Sequence, residues 1–182
     1  MKSKWGIADD DLVIGYSGRL VRDKGIIELV RAFRDVKKAN AHYKLLLVGM
    51  FEVRDALPDD VQQDIKNDTQ IVWTDFQNSD MEYFYAMMNV YVLASYREGF
   101  PTGVLEAQSM QVPVITTRAT GCCDSIQEGI TGLFVEHDVA QLADAIRSIH
   151  DARSSVDGQK AREWVRKNFE NHIVWNEIEK LY

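Results

Sequence analysis

Two carboxylates, Glu98 and Glu106, stand with seven residues between them in the stretch Arg97-Glu98-Gly99-Phe100-Pro101-Thr102-Gly103-Val104-Leu105-Glu106-Ala107. The apolar run Tyr91-Val92-Leu93-Ala94 before it reads as a strand, and Pro101 supplies the preset backbone angle of a helix start, where a missing N–H is not needed. Glu98 is therefore expected in the loop at the carboxyl end of that strand, and Glu106 about a turn and a half inside the following helix. The N–H groups at the start of a helix have no intrahelical acceptor and attract anions. Carboxylates that bind hydroxyls, placed on either side of such a helix start, describe a site for a sugar nucleotide.

A second segment, Gly18-Arg19-Leu20-Val21-Arg22-Asp23-Lys24-Gly25, follows the apolar run Leu12-Val13-Ile14-Gly15-Tyr16. A diphosphate needs close cations and backbone donors, and a guanidinium chelates its oxygens with two parallel bonds. A helix start favours anions, so cations placed there need a reason. Arg22 and Asp23 read as solvated loop residues. A third segment is Thr120-Gly121-Cys122-Cys123-Asp124-Ser125-Ile126, followed by Gly129-Ile130-Thr131-Gly132-Leu133-Phe134-Val135.

Together the three segments resemble the retaining glycosyltransferase family 4, also called glycosyltransferase group 1. The Glu98–Glu106 pair matches its E-x7-E motif, and Gly18 to Gly25 is similar to its G-R-L-x-x-x-K-G signature. The resemblance runs from about Asp11 to Ala145, with wording nearest to bacterial enzymes that build capsule and other surface polysaccharides. It implies that Gly18, Arg19 and Lys24 meet the donor's diphosphate, and that Arg19 and Lys24 stabilise the leaving nucleotide. It implies further that Glu106 accepts the ribose hydroxyls and that Glu98 lies by the donor sugar, with a salt bridge to Arg97 as the plain alternative. Gly99, Phe100 and Pro101 would shape the sugar loop, and Thr102, Gly103 and Val104 would offer amides to the phosphates. The nucleobase would rest near Gly49, Met50, Phe51, Asp75, Phe76 and Gln77. There the sequence departs from the family's patterns: the V-G-x-G turn reads Val48-Gly49-Met50-Phe51, and a glycine common after the third strand is Asp75. A uridine diphosphate sugar is the donor that such polysaccharide enzymes imply, used as substrate with no cofactor and no metal.

The same resemblance implies two Rossmann-like domains in a complete enzyme, the GT-B architecture, with this chain as the C-terminal, donor-binding half. The first motif begins within twenty residues of Met1, which leaves no room for an acceptor domain ahead of it. The usual active-site histidine would belong to that other half. The acceptor, a saccharide or lipid-linked saccharide, would be bound there, and this chain alone is expected to bind nucleotide without transferring sugar. A stand-alone nucleotide-sugar binding module shares every site residue and is the alternative reading.

Composition bounds the rest. At 182 residues, 46% hydrophobic and 27% charged, the chain suits one soluble globular domain with a real core. A net charge of -7 argues against nucleic acid, which needs a basic face. No apolar run reaches spanning length and the N-terminus is charged, which implies a cytoplasmic location, with peripheral membrane association of the full-length enzyme. Cys122 and Cys123 are neighbours, poorly placed for a relaxed disulfide, and read as reduced thiols near a turn. Asp9-Asp10-Asp11 contains the D-x-D of metal-dependent transferases but precedes the first strand, so a capped turn is expected. None of the four histidines lies beside a candidate nucleophile.

Strands alternate with helices throughout, which implies a doubly wound α/β fold with a six-stranded parallel sheet. The strands are expected at Leu12–Tyr16, Lys44–Val48, Gln70–Trp73, Asn89–Leu93, Pro113–Thr116 and Gly132–Val135. Ile26, Ile27, Val30, Phe33 and Val36 mark a helix, Asp59 or Asp60 caps another, Asp80 starts a third, and a short helix is expected near Cys123. Val139, Leu142, Ala143, Ile146 and Ile149 mark an amphipathic helix, and the tail from Val156 is helical with a break at Asn168 to Asn171. Trp164, Phe169, Trp175 and Leu181 would pack either on this domain's own sheet or against the second domain. A receiver-like signalling domain would need an acidic cluster and a phosphorylatable aspartate at the end of a strand, for which Asp9-Asp10-Asp11 is poorly placed, and a dehydrogenase would need G-x-G-x-x-G in the first turn.

Overall fold

The structure, a computed structural model, describes residues 2–77 and 79–180. Six strands form one sheet: β1 (Leu12–Ser17), β2 (Tyr43–Val48), β3 (Ile71–Trp73), β4 (Val90–Leu93), β5 (Val114–Thr117) and β6 (Gly132–Val135). Every pairing is parallel and the order is β3-β2-β1-β4-β5-β6. Apolar side chains follow one another along these strands because both faces of the sheet are covered. Leu45, Leu46 and Leu47 are fully buried in succession, as are Val92 and Ile115.

Among the described residues, seven α-helices fill the crossovers and the tail: α1 (Ile26–Ala39), α2 (Asp59–Asn67), α3 (Met81–Met87), α4 (Thr102–Ser109), α5 (Val139–His150), α6 (Gly158–Phe169) and α7 (Asn171–Glu179). Helix α1 packs on α5 and α2, whereas α4 packs on α6 and α3. The strand order reverses between β1 and β4, so the two crossovers leaving these adjacent strands cover opposite faces. A crevice opens where they part, at the carboxyl ends of the strands. The buried face of α1 is Ile26, Leu29, Val30, Phe33 and Val36, with Ala32 also buried. Leu29 takes the core place that the sequence reading gave to Ile27, which is only partly buried.

Three local expectations need correction. Neither Asp59 nor Asp60 caps α2: Pro58 holds the N-cap position without a side-chain bond, and both acids lie in the first turn, where they complement the helix dipole instead. No helix forms near Cys123. Residues 120–125 make hydrogen-bonded turns, with Cys122 N–H on Ala119 O and Ser125 N–H on Cys122 O, both 3.0 Å. The Ser125 hydroxyl competes for the same Cys122 carbonyl at 2.6 Å, which favours the closed turn over a continuing helix. Pro101 sits at the N-cap of α4, one residue before the first helical position. Asp138 and Asp157 do cap α5 and α6, accepting Gln141 N–H and the Gln159 and Lys160 N–H groups.

In the tail, Ala161 and Val165 are buried where α6 lies on α4. Trp164 meets Phe169 edge-on at 5.1 Å, and Phe169 meets Phe100 at 5.4 Å. Helix α7 leans on α6 and leaves Val174, Trp175 and Ile178 exposed, so one part of the tail packs on this domain and the other does not. Leu181 lies outside the described residues.

Gly25 joins the 3₁₀ turn Arg22–Lys24 to α1 at φ 68°, and a Cβ built on it would lie 2.0 Å from Ala94 O. Gly25→Ala is therefore expected to lower stability by more than about 2 kcal/mol, because neither the left-handed backbone nor the opposing carbonyl can yield. Gly99→Ala, with open space around it, is expected to stay within about 0.5 kcal/mol. Urea denaturation of both variants measures this, and equal losses would refute the backbone contact at Gly25.

Candidate functional site

The first turn at the strand ends is built by contacts between loops. Tyr16, buried in β1, donates its hydroxyl to Arg19 O at 2.8 Å and so pins the turn that carries Arg19. Gly18 N–H bonds Val48 O at 2.9 Å, and a Cβ on Gly49 would lie 1.9 Å from Gly18 O. Only glycine lets the loops after β1 and β2 approach this closely. The loop after β4 is tied to the same turn: Tyr96 N–H bonds Asp23 O at 2.9 Å, and the buried Ser95 hydroxyl lies 3.0 Å from that carbonyl.

These ties bring Lys24 and Glu98 together. Lys24 Nζ donates to Glu98 Oε1 at 2.7 Å, with side chains only 16% and 11% exposed. The alternative partner, Arg97, turns instead to Asp23, 3.1 Å from its Nε. Arg19 pairs with Glu52 at 3.1 Å, an exposed contact worth little on its own.

A cleft of about 480 Å³ opens between β1, β2, α3 and α4. Its lining gathers Gly18, Arg19, Gly49, Met50, Phe76, Gln77, Thr102, Gly103 and Glu106, residues scattered through the sequence reading. Lys24, Glu98, Gly99, Phe100, Pro101 and Val104 are not part of that lining. Val104 is fully buried and its N–H already bonds Pro101 O at 3.0 Å, so the amides of α4 that stay open are those of Thr102 and Gly103. Phe100 packs toward Phe169, and Phe51 lies against Trp73 at 4.7 Å rather than in the cleft. Asp75 occupies the left-handed region at φ 58°, and its carboxylate takes Phe76 N–H at 2.8 Å. The backbone there asks for glycine-like geometry, and aspartate is among the side chains that tolerate it. Gln77 donates to Thr74 O at 2.8 Å, while Phe76 stands 61% exposed at the cleft mouth.

Glu106 is exposed to the cleft and anchored from behind. Tyr85 donates to its Oε2 at 2.6 Å. Because that hydroxyl proton is used, the Ser17 hydroxyl 2.8 Å away donates to Tyr85, while Tyr91 donates to the Ser17 carbonyl at 3.2 Å. Tyr85 engages only Oε2 of the carboxylate, which leaves Glu106 Oε1 open. Burial raises the pKa of Tyr85 well above its usual range, with Tyr91 and the Glu106 hydrogen bond adding to it; Tyr91 is pushed up to about 12, mainly by burial. Both stay protonated donors at neutral pH. The sequence reading places Tyr85 in the helix after Asp80 with Met81, Phe84 and Met88 and gives it no role at the site; Ser17, Tyr91, Glu52 and Met81 are likewise absent from the site residues it names. The available signal was that a buried tyrosine hydroxyl requires a partner.

At the opposite end of the sheet, Asp11 accepts Ala8 N–H at 2.7 Å, the capped turn expected there. Asp10, Asp11 and His42 form the one group with metal-ligand spacing among the described residues, far along the chain fold from the cleft at the strands' amino ends.

The family model for glycosyl transferases group 1 matches residues 1–170. The chain belongs to this family. It is 35% identical over 179 residues to the capsular polysaccharide biosynthesis glycosyltransferase CapM of Staphylococcus aureus, covering 97% of this chain and 47% of that protein. Among solved structures it is similar to the C-terminal domain of a glycosyl transferase group 1 family protein, LpcC, from Francisella tularensis (TM-score 0.78, 25% identity, 93% of each chain). The fold also matches Anabaena HepE in complex with UDP and glucose, at TM-score 0.85 and 21% identity, over 99% of this chain and 50% of that one. The chain thus spans about half the length of these curated relatives, and its sheet is that of the C-terminal half of GT-B glycosyltransferases.

Tyr85→Phe is expected to cost about 1–2 kcal/mol, because the part-buried Ser17 hydroxyl and the Glu106 carboxylate lose a shared partner. Combined with Glu106→Ala it should cost less than the sum of the two single changes, since both remove one hydrogen bond. A double-mutant cycle by urea denaturation reads the coupling, and strict additivity would contradict the bond.

Proposed function

We propose that this chain is the donor-binding domain of a retaining, metal-independent glycosyltransferase that moves a sugar from a uridine diphosphate sugar to a saccharide or lipid-linked acceptor. The observation that carries the reading is one cleft in which a guanidinium, two open helix-start amides and a carboxylate with a free oxygen converge. Diphosphate oxygens fit Arg19 and the Thr102 and Gly103 amides, and the ribose hydroxyls fit Glu106 Oε1. The base would lie between Gly49, Met50, Phe76 and Gln77. UDP bound to the structurally similar Anabaena protein supports uridine, and the likeness to the capsular enzyme supports a place in surface polysaccharide synthesis; the same reading puts the full-length enzyme at the cytoplasmic side of the membrane. No helix among the described residues is long and apolar enough to cross a membrane, so such an association would be peripheral.

In transfer, the bond between the anomeric carbon and the β-phosphate oxygen breaks and its electron pair stays on that oxygen. Arg19 and Lys24 offset the charge that collects there. Lys24 keeps two N–H groups beyond its bond to Glu98, and Glu98 keeps Oε2 for a hydroxyl of the donor sugar. The negative charge of Glu98 also lies where positive charge grows on the anomeric carbon. A second Rossmann-like domain, which the family resemblance implies, would hold the acceptor and close over the donor to exclude water.

Calorimetric titration of this chain with UDP, GDP and ADP tests the reading. UDP is expected to bind saturably and in preference to the other two, with Arg19→Ala and Glu106→Ala each weakening it about tenfold or more. With a UDP-sugar and a saccharide acceptor this chain alone should release no product. Binding untouched by both substitutions would place the nucleotide elsewhere, and measurable transfer would show that no second domain is needed.

A further inference from the structure

A second cleft of about 650 Å³ shares Arg19 with the first and no other lining residue. It is bounded by the loops after β1, β2 and β4 and by the start of α1. Four guanidiniums face it, from Arg19, Arg22, Arg54 and Arg97, in a chain whose net charge is -7. The cleft is therefore not one stretch of a generally basic surface.

One oxygen of each carboxylate on its wall is engaged. Asp23 accepts Arg97 Nε at 3.1 Å, Asp55 accepts Asp23 N–H at 2.7 Å, and Glu28 accepts the Tyr96 hydroxyl at 3.0 Å; the other Glu28 oxygen is buried out of a ligand's reach. The guanidiniums outnumber these acids and offer many more donors. Each guanidinium carries five N–H groups. Arg22 uses its Nε on Ala56 O at 2.6 Å, Arg97 its Nε on Asp23, and Arg19 one terminal nitrogen on Glu52, while Arg54 has no hydrogen bond or ion pair. What the cleft offers is an excess of planar N–H forks. That excess suits a group with several acceptor oxygens, and a phosphate or diphosphate presents more of them than a carboxylate.

One wall carries a different signal. Tyr96 is 48% exposed, yet its ring is held in place by stacking on His137 (4.0 Å, 13°) and by its hydroxyl bond to Glu28. A fixed, half-exposed aromatic beside polar side chains is a surface on which the C–H face of a pyranose can rest while its hydroxyls reach polar neighbours.

We propose that this cleft binds a sugar phosphate: guanidiniums of Arg22, Arg54 and Arg97 on the phosphate oxygens, and the sugar ring against Tyr96. Resting on the donor-site reading above, the sugar phosphate is the end of the acceptor. Arg19, common to both clefts, then sets the acceptor's phosphate beside the donor's. Part of the acceptor's recognition thereby lies on this domain and not only on the second one.

The test adds glucose 1-phosphate to the isotope-labelled chain, with and without saturating UDP, and follows amide resonances. Shifts are expected at Arg22, Arg54, Tyr96 and Arg97 in both cases. Arg54→Ala, which disturbs no internal bond, should weaken glucose 1-phosphate about tenfold and change UDP affinity less than about twofold. Tyr96→Ala should remove the preference for glucose 1-phosphate over inorganic phosphate. Competition between glucose 1-phosphate and UDP, or affinity indifferent to Arg54→Ala, would overturn the site; equal binding of inorganic phosphate to the unmodified chain would overturn its sugar half. Loss of UDP binding alone, with Arg54-dependent sugar phosphate binding retained, would remove the donor reading and with it the acceptor role. A farnesyl diphosphate-linked glucose distinguishes the source: tighter binding than glucose 1-phosphate assigns a lipid-linked diphosphate, and equal binding assigns a free sugar phosphate, both supporting the cleft.

Discussion

The backbone contact at the point where β1 and β4 send their chains to opposite faces governs the rest of the site. Gly25 lies against the Ala94 carbonyl, and the Tyr96 amide and Ser95 hydroxyl reach back to Asp23 O. Because the crossovers diverge there, the loops would otherwise be free to separate over an open crevice. Their mutual hydrogen bonds fix the spacing between the cationic turn and the carboxylate loop. Lys24 can meet Glu98 at 2.7 Å only because the two loops are already held in register.

That ion pair shapes the electrostatics more than any single cation. Lys24 and Glu98 are both largely shielded and hold each other at 2.7 Å, so the pair brings little net charge to the crevice while orienting both side chains. Arg19, whose bond to Glu52 is exposed, is the more readily available cation. It stands between two clefts that share nothing else. One has orphan helix amides and a carboxylate backed by the hydroxyls of Tyr85 and Ser17, and the other has guanidinium forks and a fixed tyrosine ring.

The parallel sheet was legible because its signal is local and strong. Runs such as Lys44–Val48 and Tyr91–Leu93 are apolar without alternation, and burial on both faces is the condition that produces them. Helix starts were less legible. Asp59 and Asp138 have similar sequence surroundings, yet Asp138 accepts an amide and Asp59 does not, because the chain before α2 enters through Pro58. Near Cys123 a short helix was expected, and a serine hydroxyl competing for the backbone made turns instead. Arg19, Glu98 and Glu106 could be singled out because they fall on ordered motifs that resemble those of the family, not because any one spacing is rare. Tyr85 could not, since nothing in a helical pattern of Met81, Phe84, Tyr85 and Met88 distinguishes a tyrosine that packs from one that also orients a carboxylate 21 positions away.

By itself the sequence determined the fold class, the family and the cluster of chemistry at the carboxyl ends of the strands, since each depends on short-range periodicity and motif spacing. Only the tertiary structure decided which groups face one another. It paired Lys24 with Glu98 and not Arg97 with Glu98, withdrew the Val104 amide, set Tyr85 behind Glu106, and drew Arg54 and Arg97, from separate loops, around one cleft. These outcomes turn on distances of a few tenths of an ångström between segments remote in the chain. A hydrogen bond forms or fails over such distances, and no local pattern of residues encodes them.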